Sequence, residues 1–170
     1  HKENYLRSKH EIPIVAVDYS GIDIQYPRIT ATNVSGAYEG TKYLIDLGHE
    51  RIGFITGLMD LGCSQDRLDG FTRAMDGAGL VVGPSLVGNG SFTRVSGELI
   101  ARDWLARNER PTAIFASNDE MALGVMDEAE RLGISVPGEL SLVGFDDITE
   151  ARLRKPALTT IRQPLFEMGN

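Results

Sequence analysis

Residues 111–147, PTAIFASNDEMALGVMDEAERLGISVPGELSLVGFDD, constrain the fold more than any other stretch of this chain. Residues 112–116 form a short apolar, β-rich run of the kind that a parallel sheet buries on both faces. Asn118 then has the position and chemistry of a helix N-cap, and Gly133 those of a C-terminal cap. A second buried strand is predicted at residues 140–145. The stretch therefore reads as one β–α–β unit.

Polar side chains follow both strands of this unit. Asn118 and Asp119 come after the first strand, and Asp146 and Asp147 come after the second. In open α/β sheets the carboxyl ends of parallel strands share one edge, and ligands collect there. Both polar clusters are therefore expected on one rim of the sheet.

The rest of the chain repeats the alternation of strand and helix. Strands are predicted to begin near Ile52, Leu86, Thr112 and Leu140, about one βα unit apart. Before them come a predicted strand at residues 12–17, a short one at 28–32 and a helix from Ser35 to Leu47. A helix predicted from Arg94 to Arg107 carries Val95, Leu99, Ile100 and Trp104, and its helical spacing assigns Trp104 to the core. This alternation predicts an α/β fold with a parallel sheet and right-handed crossovers.

Composition excludes several classes of protein. The 170 residues carry a formal charge of -7, whereas modules that grip nucleic acid usually have a basic face. No run approaches the ~18 apolar residues that a membrane span needs. The single Cys63 permits no internal disulfide framework, and the three histidines are too scattered for a structural zinc site.

Catalytic motifs are not evident either. The loop at residues 57–62 follows a strand and precedes a helix, but it lacks the Lys-Ser/Thr pair of a phosphate-binding loop. The serines after the predicted strands have no histidine with which the sequence pairs them, and no nucleophile elbow is present. Asp146 and Asp147 are adjacent and are expected to point apart, unlike a glycosidase pair. The sequence predicts no enzyme, cofactor or metal site.

Four residues instead suit a small polyhydroxylated molecule. Arg67 offers a fork of donors, Asn118 both donates and accepts, and Asp146 accepts from two hydroxyls at once. Phe92 offers a face for the C–H side of a sugar or base. Structural alternatives remain open: Asn118 as a plain N-cap, Asp146 as a turn cap, Arg67 as a solvated helix residue and Phe92 as a core anchor.

Several segments, in this order and spacing, resemble the LacI/GalR family of bacterial transcription regulators: IPIVAVD, GHERIGFITG, SQDRLDGF, residues 110–148 and PALTTIRQP. The resemblance implies two Rossmann-like lobes similar to those of periplasmic sugar-binding proteins, with an effector in the cleft between them. It also implies an N-terminal helix-turn-helix that binds operator DNA as a dimer. The expected fold class is thus a periplasmic-binding-protein-like α/β fold of parallel-sheet lobes flanked by helices.

Aligned with the family pattern, the chain is expected to be truncated at both ends. Residues 1–48 would be the end of a partial first lobe, residues 49–160 a nearly complete second, effector-binding lobe, and residues 161–170 the return crossover. The chain begins with His1 inside a helix-like segment and stops after one turn of another. The DNA-binding headpiece is expected to lie outside it.

The resemblance also assigns effector contacts. By matched motif they fall on Arg67 in RLDGF, Asn118 in SND, Asp146 in GFDD and Phe92 at the aromatic position. Ser35 stands where many members have a carboxylate, which leaves the identity of the ligand open. Gln163 and Leu165 are expected to line the wall at the crossover.

The resemblance implies the effector-binding and dimerisation core of a cytoplasmic repressor that responds to a sugar or related metabolite. Its expected partners are that small molecule, a second copy of the chain, and operator DNA contacted only through the missing helix-turn-helix; no membrane partner is expected. The alternative is a sugar-binding protein of a transport system, which would need an upstream signal peptide. An enzyme on this fold would lack any recognisable nucleophile, metal or cofactor motif.

Overall fold

A computed structural model describes residues 15–17 and 27–169. The strands are β1 (Ala16–Val17), β2 (Arg28–Ile29), β3 (Ile52–Thr56), β4 (Val87–Asn89), β5 (Ala113–Ala116), β6 (Ser141–Asp146) and β7 (Thr159–Arg162). The helices are α1 (Asn33–Asp46), α2 (Gly62–Gly77), α3 (Arg94–Leu105), α4 (Asp119–Arg131), α5 (Thr149–Leu153) and α6 (Leu165–Gly169), with a 3-10 turn at Pro84–Leu86. Of the strand predicted at residues 12–17, residues 12–14 lie outside the described residues.

Five strands form one parallel sheet in the order β4-β3-β5-β6-β7, and β1 and β2 form a separate parallel pair. The predicted α/β class with a parallel sheet is confirmed. The central strands β3 and β5 are buried along their whole length, as expected for strands covered on both faces. His49 lies just before β3 and connects it to the starts of β5 and β6. Its Nδ1 lies 2.9 Å from Thr112 Oγ1, and its Nε2 lies 2.8 Å from Ser141 Oγ.

Helices cover both faces of this sheet. On one face α3 and α4 pack over a core that includes Ile55, Trp104 and Ile114. On the other face α1 and α2 pack over Phe54, where the Phe71 ring stacks with its centroid 4.7 Å away. The sheet therefore lies between two layers of helices, and loops lie at the two ends of its strands.

Helix α1 belongs to the second of these layers. It begins at Asn33, two residues before the predicted Ser35, and its buried residues Ala37 and Leu44 join the core around Phe54. The apolar face of α1 is thus buried on the five-stranded sheet. The boundary at residue 48 between two lobes stays a prediction.

Two glycines let α3 and α4 approach closely. A Cβ atom on Gly97 would lie 2.1 Å from the carbonyl oxygen of Met121, and one on Gly124 would lie 2.0 Å from that of Arg94. The contact therefore runs along the small-residue side of α3. Trp104 is buried as predicted, whereas Val95 and Leu99 of the same helix are 62% and 55% exposed.

The helix ends follow the predicted chemistry. Asn118 precedes α4 as its N-cap, and Gly133 follows α4 with a φ of 71°. Gly48 follows α1 with a φ of 90°. Both glycines adopt the left-handed conformation that commonly ends a helix. Among residues 15–17 and 27–169, no helix is long and apolar enough to cross a membrane.

Candidate effector site

The loops after β4, β5 and β6 meet at one rim of the sheet, which we call the carboxyl rim. This rim holds the three non-glycine residues of positive φ found among the described residues: Phe92 at 63°, Asp146 at 115° and Asp147 at 60°. Non-glycine residues seldom adopt such conformations, and those that do cluster at functional sites. The rim is therefore the first place to look for a binding site.

Arg67 lies beneath this rim on α2 and is only 3% exposed. Its Nε donates to Asn33 Oδ1 at 2.9 Å, and its Nη1 donates to the carbonyl oxygen of Ser117. The same Nη1 lies 3.6 Å from Asp146 Oδ1, and the guanidinium carbon lies 3.8 Å from the centroid of the Phe145 ring. Arg67 is thus a buried anchor of the rim, and the alternative of a solvated helix residue is wrong.

Asp146 is the charged centre of the rim. Besides Arg67, it contacts Gln163, whose Nε2 donates to Asp146 Oδ1 at 2.6 Å. Its side chain is 26% exposed, so the carboxylate remains within reach of solvent. The structure therefore brings together three of the predicted site residues, from α2, β6 and the segment after β7.

Asn118 is both a helix cap and a link to the next loop. Its Oδ1 accepts from the backbone N–H of Met121 at 3.0 Å, so the N-cap interpretation is confirmed. Its Nδ2 donates to the carbonyl oxygen of Phe92 at 3.0 Å. The amide therefore fixes the loop that carries Phe92 against the start of α4.

Phe92 packs directly on the backbone of Gly57. A Cβ atom at Gly57 would lie 1.9 Å from the ring, so only glycine leaves room for it. The ring is half-buried and touches the core under α3 and α4. The core-anchor alternative is supported, and the ring is still partly exposed at the rim.

Within the described part of the chain, Ser35 has no hydrogen bond to a residue of this cluster. Its side chain is exposed, and its Oγ donates to the carbonyl oxygen of Thr32 at 3.3 Å. It lines an open groove of about 690 Å³ that also includes Asn33, the partner of Arg67, together with Tyr38 and Arg73 among others. Leu165 begins α6.

The two adjacent aspartates of the rim point in different directions, as the sequence predicted. Asp147 forms ion pairs with Arg152 at 2.6 Å and Arg162 at 2.5 Å, and these partners hold its pKa down to about 2. Asp119, on the neighbouring α4, is fully buried, and this burial raises its pKa to about 6. The aspartates do not face one another across a gap that would suit a glycosidase pair.

Sequence reasoning missed three residues that shape the site, namely Asn33, Ser117 and Phe145, which hold Arg67. Asn33 and Ser117 lie 34 and 50 residues from Arg67 along the chain. The polar Asn33 before an amphipathic helix was the available signal, but it identifies a helix start rather than an arginine partner. No group of three or more potential metal ligands occurs in the described part of the chain.

Residues 41–170 match the family model of the periplasmic binding protein-like domain. Because this match covers most of the chain, the chain belongs to that family. The predicted resemblance to the LacI/GalR family is confirmed by the relatives and structures that it matches.

One relative is the HTH-type transcriptional repressor CytR of Escherichia coli K12, 35% identical over 157 residues, which are 92% of this chain and 46% of CytR. A LacI-family regulatory protein from Chloroflexus aggregans superposes with a TM-score of 0.88 at 32% identity, covering 92% of this chain and 57% of that protein. The transcriptional regulator CelR in complex with cellobiose superposes with a TM-score of 0.83 at 32% identity, covering 91% of this chain and 48% of that protein.

The chain spans about half the length of the curated relatives it matches. All three proteins are regulators rather than enzymes, in agreement with the expectation of a binding domain. Since all three are regulators, they do not support the alternative of a sugar-binding protein of a transport system.

Proposed function

We propose that this chain is the effector-binding part of a LacI-type transcription regulator and that its effector is a sugar or a related metabolite. The observation that carries the proposal is the meeting of Arg67, Asp146 and Gln163 at the carboxyl rim, beside Asn118 and Phe92. The cellobiose complex of a similar regulator supports a sugar.

The rim has the chemistry for such a ligand. The Asp146 carboxylate can accept hydrogen bonds from two neighbouring hydroxyls, and Arg67 beneath it supplies a positive charge 3.6 Å away. Gln163 donates to one carboxylate oxygen of Asp146, so a ligand hydroxyl would compete with Gln163 or share that oxygen. The partly exposed Phe92 ring offers an apolar face for the C–H side of a sugar.

In the longer protein, we expect the effector to bridge two lobes and to bias the hinge between them. Binding would then shift how a helix-turn-helix outside this chain meets operator DNA. A role at operator DNA also places the protein in the cytoplasm. We revise the proposed lobe boundary from residue 48 to about residue 32, because α1 packs on the five-stranded sheet. Residues 161–170 remain the proposed return crossover.

A homodimer is part of this proposal. Val95 and Leu99 on α3 and Leu153 on α5 are 62%, 55% and 73% exposed. Asp127 of α4 forms ion pairs with arginines at the start of α3 and at the end of α5, so these three helices share one surface. Large exposed apolar side chains on a common surface suit contact with a second copy.

Ligand titration of the chain and of its Asp146→Ala variant tests the proposed function. Cellobiose, D-ribose and a nucleoside serve as probes, and binding is followed by amide chemical shifts. The variant is expected to bind at least tenfold more weakly, because a hydrogen bond to a charged group contributes about 1.5 to 3 kcal/mol. Asp127→Ala is the matched control, since Asp127 is a similarly exposed, arginine-paired carboxylate away from the rim. Equal binding by wild type and Asp146→Ala would contradict the proposal.

A further inference from the structure

We propose that Asp119 is a positioning residue, which fixes the turn that carries Asp146. Asp119 is not among the proposed effector contacts, and its side chain is buried in the interior of the protein. The inference rests on the proposed function, because it concerns how Asp146 is aimed at a ligand.

The turn after β6 needs support from outside. Asp146 and Asp147 are consecutive residues with φ of 115° and 60°, in a region that side chains with a Cβ atom seldom adopt. Such conformations persist only where the surrounding structure holds them. The groups that hold this turn therefore determine where the Asp146 carboxylate points.

Asp119 contacts this turn and the strand beside it. Its Oδ2 accepts from the backbone N–H of Ile148, the first residue after the turn, at 2.9 Å. Its Oδ1 accepts from Thr160 Oγ1 at 2.5 Å, and Thr160 Oγ1 lies 3.4 Å from the backbone nitrogen of Asp147. One buried carboxylate thus joins the start of α4, the end of the turn and β7.

Gly144 of β6 provides the space for this carboxylate. A Cβ atom at Gly144 would lie 2.2 Å from Asp119 Oδ1, so any larger residue would displace the carboxylate. Asp119 itself has no exposed surface. The strand that leads into the turn is therefore shaped around the Asp119 side chain.

Helix capping does not explain why a buried carboxylate stands at position 119. The cap of α4 is the Asn118 side chain, which accepts from the N–H of Met121. Asp119 is favoured electrostatically by the helix N-terminus, but its carboxylate accepts hydrogen bonds from Ile148 and Thr160, which lie outside α4. Its burial is costly for an ionised group, as the raised pKa of about 6 shows. A role in holding the turn accounts for a carboxylate at this place.

The first test needs no ligand and uses amide resonances of the chain. The Ile148 amide is expected to shift with pH around a midpoint near 6, because it donates to Asp119. Asp147 will not produce this signal, since Arg152 and Arg162 hold its pKa near 2. Asp146 and Arg67 also face the turn, and both are retained in Asp119→Asn, so a signal from either of them would persist in that variant. In Asp119→Asn the titration of Ile148 should vanish, whereas a titration that persists would overturn the inference.

The second part of the test compares three variants. Asp119→Ala should move the amide resonances of residues 146–148 and weaken binding of cellobiose, as the probe, at least tenfold. Asp119→Asn should restore affinity to within about threefold, because its Oδ1 can accept from Ile148 while its Nδ2 donates to Thr160. Glu128→Gln is the control, because Glu128 is also buried on α4 but pairs with Arg102 and Arg131.

The outcomes separate this inference from the proposed function. Unchanged resonances at residues 146–148 in Asp119→Ala would overturn the positioning role, and so would equal losses of affinity in Asp119→Ala and Glu128→Gln. If Asp119→Ala does not fold, the comparison of the Ile148 titration between wild type and Asp119→Asn decides whether Asp119 holds the turn. Failure of wild type to bind any sugar would contradict the proposed function, while the ligand-free titration would still support or overturn the role of Asp119.

Discussion

Arg67 holds several parts of the carboxyl rim together at the scale of a single residue. Its guanidinium donates to the Asn33 side chain and to the Ser117 carbonyl oxygen, and it stacks on Phe145. It also supplies positive charge 3.6 Å from the Asp146 carboxylate. A buried cation that satisfies several groups at once is expensive to remove, because each partner is left without its donor.

Replacing Arg67 should therefore be strongly destabilising. We expect Arg67→Met, which keeps an apolar stem but removes the donors and charge, to lower the free energy of unfolding by about 3 kcal/mol. Arg73→Met is the control six residues further along α2, where the arginine is exposed and forms an ion pair with Asp69. Exposed pairs contribute about 0 to 1 kcal/mol. Urea unfolding measures both changes, and equal effects would contradict the assigned role of Arg67.

The close crossing of α3 and α4 is the feature that decides packing at the scale of elements. Gly97 and Gly124 bring the two backbones into contact, and this contact sets which side of α3 is buried. Val95 and Leu99 are left exposed as a result.

An added methyl group at this crossing should be costly. We expect Gly97→Ala to lower the free energy of unfolding by about 3 kcal/mol, since the new Cβ would lie 2.1 Å from Met121 O and the helices would have to separate. Gly77→Ala is the matched control at the end of α2, where a Cβ meets nothing within 4 Å. That change should stabilise the chain by about 0.5 to 1 kcal/mol. Thermal unfolding of both variants gives the comparison, and a neutral Gly97→Ala would contradict the packing described here.

The sequence predicted what depends on local pattern. Apolar runs, the Asn118 cap and the Gly133 stop were sufficient to predict the β–α–β alternation and the parallel sheet. Burial of α1 on the five-stranded sheet was not predictable in this way, because periodicity identifies an apolar face but not the sheet that covers it. The environment of Arg67 was missed for a similar reason, since Asn33 and Ser117 lie far away in the sequence.

At the scale of the whole molecule, the surface shared by α3, α4 and α5 is the proposed contact between two copies. We expect Leu99→Asp to shift a dimer to monomer in sedimentation equilibrium, because a charge would enter an apolar contact. Val81→Asp is the control, because Val81 is an 88% exposed apolar residue outside these three helices. A monomeric wild-type chain, or a Leu99→Asp variant that still dimerises, would contradict the proposed dimer surface.

The central claim is that the carboxyl rim is the effector site, and an amide chemical-shift map of the chain with a bound sugar tests it most directly. We expect the largest changes at Gly57, Phe92, Asn118 and residues 146–148, where β3 to β6 end. Changes concentrated at the opposite edge of the sheet, where these strands begin, would place the ligand elsewhere and contradict this claim.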